Sequence, residues 1–246
     1  MLLAIDAGNT NIVFALYNGS KQVDKCRMET TGKIPESMNE IVRQYPDIDA
    51  VIISSVVPKI NETLQKSCTY LMKIDPVFVT HENIPIEVKT DKPNEVGADR
   101  LVNSVTVITD YKKPAIIVDF GTATTFDVVD AQGCYAGGVI APGINLSLEA
   151  LHQAAAKLPS VTVEKPASVI GKNTVDAMQS GIYWGYIGLI EGTIKRIAEE
   201  MAMEEGARPF VIATGGLAPL FDQGTEMIDA IDSDLTMKGL VHIQTH

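Results

Sequence analysis

Residues 2–19 read LLAIDAGNTNIVFALYNG: an apolar run, a polar knot (Asp6-Ala7-Gly8-Asn9-Thr10-Asn11), and a second apolar run ending at Asn18-Gly19. The runs predict strands over 2–6 and 11–18, and Asn18-Gly19 predicts a tight turn into a third strand over 22–30. The knot itself has two readings. In the plain one, Gly8 supplies a positive φ while the Asp and Asn side chains bond their own backbone. In the other, a residue without Cβ lets a phosphate reach backbone N–H groups and the Thr and Asn side chains add donors. Asp6, at the strand end, then holds a metal ion directly or through water.

The same pattern returns as AIIVDFGTATTFDVVDAQG at 115–133. Asp6 matches Asp119, Gly8 matches Gly121, and Asn9-Thr10-Asn11 faces Thr122-Ala123-Thr124. Two copies point to an internal duplication and raise the phosphate reading above the plain one. The rest of the chain fits two such halves. After the first meander come a helix at 35–45, a strand at 50–57, a helix at 59–73, a strand at 76–80 and a helix at 98–110. Tyr111-Lys112-Lys113-Pro114 marks a boundary, so domains are expected at 1–114 and 115–246. The second half repeats three strands (115–119, 124–129, 135–140). Helices follow near 145–157 and 173–205, then a strand at 209–213 and helices near 216–222 and 235–243. Meanders followed by alternating helices and strands imply an α/β fold with mixed sheets.

Composition narrows the function. Of 246 residues, 46% are hydrophobic and 21% charged, which suits a folded core rather than a disordered chain. The net charge of −11, without a basic run, argues against a nucleic-acid partner. Cys26, Cys68 and Cys134 are widely spaced in apolar surroundings and read as buried, reduced thiols of a cytoplasmic protein. The four histidines are scattered, which disfavours a zinc site. The N-terminus lacks a basic region before its apolar run, so it does not read as a signal peptide, and no apolar helix is long enough for a membrane.

The knots contain no lysine, and neither GxxxxGK[ST] nor GxGxxG is present. A phosphate ligand on this acidic chain therefore needs a cation, and Mg²⁺ is the natural one. Gly97-Ala98-Asp99-Arg100 precedes the periodic run Leu101, Val102, Val105, Ile108. Asp99 reads equally as a helix-start carboxylate and as a base for a substrate hydroxyl. ATGGLAPL (213–220) and GGVIAPG (137–143) are either tight turns or walls of a site. In the long helix, Gly181, Gly185, Gly188 and Gly192 recur at spacings of 4, 3 and 4, with Ala177 on the same stripe. Each costs about 1 kcal/mol against alanine, so something must pack close: an intramolecular helix or, the favoured reading, the partner in a homodimer. Ile187, Ile190, Ile194, Ile197 and Met201 form the apolar stripe beside it.

DAGNTN, PNEVGADR, DFGTATT, GGVIAPG, GKNTVDAMQSG and ATGGLA, in that order, resemble the type III pantothenate kinases over nearly the whole chain. The resemblance implies the superfamily of acetate and sugar kinases, heat-shock chaperone ATPases and actin: two ribonuclease-H-like domains with nucleotide in the cleft between them. It implies ATP-dependent phosphorylation of pantothenate at its primary hydroxyl, the first step of coenzyme A synthesis. By motif, Asp6, Ala7, Gly8, Asn9, Thr10, Asn11, Ile12 and Val13 resemble the first phosphate loop, and Thr122 a phosphate contact in the second. Asp99 resembles the general base, and Gly97, Ala98, Asp99 and Arg100 resemble part of the pantothenate site. Asp119 resembles a ligand of the monovalent cation, K⁺ or NH₄⁺. Thr174 resembles a pantothenate contact supplied across the family's dimer interface. Thr90 stands where many members carry tyrosine. The rivals are another kinase of the superfamily, acting on a sugar or a carboxylate, and a non-catalytic regulatory protein.

Overall fold

The computed structural model describes residues 1–154, 159, 161–205 and 208–245. The chain forms two compact units, Met1–Tyr111 with Asp234–His246, and Lys112–Ser233. In the first unit, β1 (Leu2–Ala7), β2 (Asn11–Asn18) and β3 (Lys21–Glu29) make an antiparallel meander. Gly19 turns β2 into β3 at φ 60°, where glycine is strain-free. After α1 (Ile34–Gln44), β4 (Ala50–Ser55) pairs parallel with β1. After α2 (Pro58–Met72), β5 (Val77–Phe78) completes the order β3-β2-β1-β4-β5. A 3₁₀ turn at Pro93–Glu95 leads into α3 (Ala98–Asp110).

Strand alternation decides which way the site points. Leu3, Ile5 and Ala7 of β1, with Val51 and Ile53 of β4, pack into a core with Met38 of α1 and Leu64 of α2. Ala4 and Asp6 alternate to the other face, in register with Ile52 and Ser54 of β4. That face carries α3.

The second unit repeats this plan. β6 (Ala115–Phe120), β7 (Ala123–Val129) and β8 (Tyr135–Pro142) form the meander, followed by α4 (Ile144–Ala154) and α5 (Thr174–Glu205). Then β9 (Phe210–Gly215), α6 (Ala218–Asp222) and β10 (Ala230–Ile231) give the order β10-β9-β6-β7-β8. It is the first sheet's order with each strand replaced by its counterpart. Asp119 pairs with Thr214 of β9 as Asp6 pairs with Ser54 of β4. Ile187, Ile190 and Ile194 of α5 pack on Ile116 and Val118, so the predicted apolar stripe is the core face of α5.

Three features depart from the sequence reading, and one of its two alternatives drops out. The last helix, α7 (Leu235–Thr245), belongs to the first unit, not the second, because its apolar side packs on α3, β1 and β4. β10 was not foreseen; two residues in a polar stretch carry no periodicity. Cys26 is exposed, since β3 is an edge strand, whereas Cys68 and Cys134 are buried. The intramolecular explanation of the glycine stripe fails. A Cβ at Gly181, Gly185 or Gly188 meets no described atom within 4 Å, and one at Gly192 meets only Arg196, at 3.1 Å. The predicted helix at 145–157 is present through Ala154, and 155–157 lie outside the described residues. No described helix is long and apolar enough to cross a membrane.

Candidate active site

The first knot is a tight loop between two central strands. Gly8 N–H donates to the Asn11 carbonyl at 2.9 Å. Thr30, at the end of β3, closes it from outside: its Oγ1 donates to the Gly8 carbonyl at 2.6 Å and its N–H to the Thr10 carbonyl at 3.0 Å. Sequence reading missed Thr30, because nothing in METTGK marks it. Neither Gly8 nor Gly121 has a positive φ, which removes the plain explanation of both glycines. A Cβ on Gly8 would stand a tight 3.2 Å from the Asn11 carbonyl. The side chains of Asn9 and Thr10 are exposed, while Ala7 and Ile12 are fully buried. What Ala7 and Ile12 can offer a ligand is confined to backbone.

Asp6 lies near the end of β1 on the face that carries α3, and Asp99 sits in the first turn of α3, so the charge of Asp99 is felt at Asp6. Burial first, and then the Asp99 charge, raise Asp6 to about 7, while the Ser54 hydroxyl beside it pulls the other way. Burial also raises Asp99, against the Arg100 backbone N–H, which donates to Asp99 Oδ1 at 2.8 Å, and the Arg100 charge. Gly97 leaves space for that carboxylate, since a Cβ there would lie 2.7 Å from Oδ1. An open cleft of about 570 Å³ adjoins Gly97 and Ala98, with Ser55, Thr80, His81 and Asn94 on its walls. The Thr90 hydroxyl is buried with no hydrogen-bond partner among the described residues. A groove of about 470 Å³ between α1 and α2 contains none of the motif residues.

The second knot is braced by the two glycine strings. Gly121 N–H donates to the Ala123 carbonyl at 3.0 Å, and Gly143 N–H to the Thr122 carbonyl at 3.1 Å. A Cβ on Gly143 would stand 2.2 Å from that carbonyl, so GGVIAPG packs directly on the knot. Gly215 of ATGG has φ 89°, and a Cβ there would come within 2.8 Å of Asp119 Oδ1. Asp119, Thr122, Gly143 and Gly215 are thus brought together. Thr174 is exposed and opens α5, whose first turn is closed by Asn173 and Asp176: Asp176 N–H donates to Asn173 Oδ1 at 3.0 Å.

The raised Asp6 has a stability consequence in the metal-free protein. A folded value of about 7 against the ordinary 3.8 means stability present below 3.8 is lost as pH rises to about 7. Asparagine takes up no proton, so Asp6→Asn should stabilise the fold increasingly from pH 5 to pH 7. The gain should be on the order of 2 kcal/mol over that interval, at ~1.4 kcal/mol per pH unit. Melting curves of both proteins across this range check it, and a difference independent of pH would contradict it.

Comparison with known proteins agrees with this architecture. A relative from Paramagnetospirillum magneticum, a type III pantothenate kinase, is 51% identical over 99% of this chain and 96% of its own. A structure from Campylobacter jejuni, described as a Baf family transcriptional activator, covers 99% of this chain and 97% of its own at 19% identity and a TM-score of 0.64. One from Listeria monocytogenes, described as an N-acetylmannosamine kinase, covers 98% and 97% at 9% identity and a TM-score of 0.53. At such identities these two speak for the fold alone, the duplicated ribonuclease-H-like architecture of the sugar kinases and actin. The family model of the type III pantothenate kinases matches residues 2–196, a span that holds both knots and GADR. The chain belongs to the type III pantothenate kinases.

Proposed function

We infer that the protein transfers the γ-phosphoryl group of ATP to the primary hydroxyl of pantothenate, opening coenzyme A biosynthesis, as a cytoplasmic enzyme. The observation that carries this reading is the buried Asp99 of GADR at the start of α3, held by the Arg100 N–H beside an open cleft at Gly97 and Ala98, with its charge felt at Asp6 of the first knot. Phosphoryl transfer passes through a loose transition state, so the protein's work is positioning and charge stabilisation. The backbone of residues 6–13 holds ATP phosphates, and Thr122 of the second knot is a further phosphate contact. Gly97 to Arg100 hold pantothenate, helped by Thr174 from a partner subunit. Asp99 accepts the hydroxyl proton as the oxygen attacks in line.

The residues fit the cations this chemistry uses. Asp6 is a hard oxygen donor whose charge is raised in cost by burial and by Asp99, a situation a divalent ion relieves, and Asp6 would hold Mg²⁺ directly or through water. Asp119, against Gly215, would hold K⁺ or NH₄⁺. When bound, these ions neutralise phosphate charge that the lysine-free knots leave unbalanced.

The enzyme works as a homodimer. Ala177, Gly181, Gly185 and Gly188 line an exposed face of α5, where glycine only weakens a helix unless another backbone comes close. Exposed apolar side chains gather in the same unit, among them Val139, Ile140, Leu146, Val169, Ile170 and Val175. Light scattering should give twice the chain mass, and Gly185→Leu should give a monomer. A monomeric parent, or a variant that still dimerises, refutes this face.

ADP release in a coupled assay with pantothenate, glucose or acetate, with and without K⁺, tests the acceptor. Turnover should require pantothenate and rise with K⁺. Turnover on either other acceptor instead would overturn the reading.

A further inference from the structure

The C-terminal helix α7 lies 129 residues beyond α3 at the Thr106–Leu235 bond, yet it is fastened to α3 along its length. Gly239 stands in the middle of α7, and a Cβ there would be 2.2 Å from the Val102 carbonyl and 2.9 Å from Thr106 Oγ1. Thr106 Oγ1 donates to the Leu235 carbonyl at 2.7 Å in a fully buried bond. Thr236 Oγ1 donates at 2.8 Å to Oδ1 of Asn103, itself buried. His242 Nε2 and Asp110 Oδ2 meet at 3.0 Å at the far end. α7 also packs on β1 and β4, whose ends carry Asp6 and Ser54. The touching points Val102 and Asn103 lie one helical turn from Asp99.

We propose that α7 sets the axial position of α3, with Gly239 and Thr236 as positioning residues that hold Asp99 at the reacting hydroxyl. This rests on the reading of Asp99 as the base. Only glycine allows the helix axes this approach. The Thr236–Asn103 and Thr106–Leu235 bonds fix how far α3 can slide along α7. A misplacement of about 1 Å at the reacting group can cost ~10²-fold in rate, so a small slide is enough to matter.

The test measures kcat and the KM for ATP of Gly239→Ala, Thr236→Val and Thr236→Ser in the full chain, each alone and combined with Asp99→Asn. Gly239→Ala and Thr236→Val should each lower kcat about tenfold or more with little change in the KM for ATP. Thr236→Ser, which keeps the hydroxyl, should restore kcat. In the Asp99→Asn background neither change should cost anything further, since both act through that carboxylate. If Gly239→Ala does not fold, Thr236→Val carries the test. Unchanged kcat with a lowered melting temperature would overturn the proposal, leaving α7 a purely structural helix. So would an equal loss with and without Asp99. Near-normal turnover of Asp99→Asn alone would remove the base reading itself, and the proposal with it.

Discussion

Asp99→Asn should lower kcat by about 10²–10⁴-fold while the protein folds and assembles as before. The substitution keeps size and the hydrogen bond from the Arg100 N–H to Oδ1, so the start of α3 has no reason to move. What it removes is a proton acceptor raised by burial above an ordinary carboxylate. The base works only when ionised, so activity of the parent should fall on the acid side at a higher pH than an unperturbed aspartate would give. That acid limb should be missing from the residual activity of the variant. A second signature follows from the Asp6–Asp99 pair: removing one charge should bring Asp6 down from about 7. The change in stability between pH 5 and pH 7 should therefore be smaller in Asp99→Asn than in the parent. Near-normal kcat in a folded Asp99→Asn would end the base assignment.

Gly143→Ala should raise the KM for ATP by about tenfold or more, because an overpacked backbone contact costs roughly 1–3 kcal/mol. The added methyl would stand 2.2 Å from the Thr122 carbonyl and 2.8 Å from that of Gly121. Both are backbone atoms of the second knot, and no side-chain rotation can relieve them. The knot must open, and with it the bond from Gly143 N–H to the Thr122 carbonyl. With Thr122 in its proposed role as a phosphate contact, nucleotide affinity should suffer more than pantothenate affinity. Unchanged ATP kinetics in a folded variant would take Thr122 out of the nucleotide site.

The two hairpins, their repetition and GADR were legible in the sequence because each is a local pattern. An apolar run stopped by Asp-x-Gly announces a strand end whatever surrounds it, and GADR before Leu101, Val102 and Val105 announces a helix start. The contacts that brace these motifs were not legible, since they join residues far apart in the chain. Thr30 reaches the Gly8 carbonyl from another strand. Gly143 and Gly215 were visible as glycines, but not that one presses on Thr122 and the other on Asp119. The positive φ that a turn glycine suggests is absent at both Gly8 and Gly121, which only the folded backbone could show. The sequence marked a helix near 235–243, but nothing local to it says against what such a helix packs. Gly239, costly inside a helix, was the available sign that α7 meets another backbone.

The central claim is that this chain moves a phosphoryl group from ATP to pantothenate through Asp99. The most direct measurement is ³¹P NMR of ATP, Mg²⁺, K⁺ and pantothenate incubated with the parent or with Asp99→Asn. With the parent, a phosphomonoester of pantothenate should grow as ATP becomes ADP, and with the variant that signal should be nearly absent. Free phosphate without the ester, or equal ester from both proteins, would contradict the account.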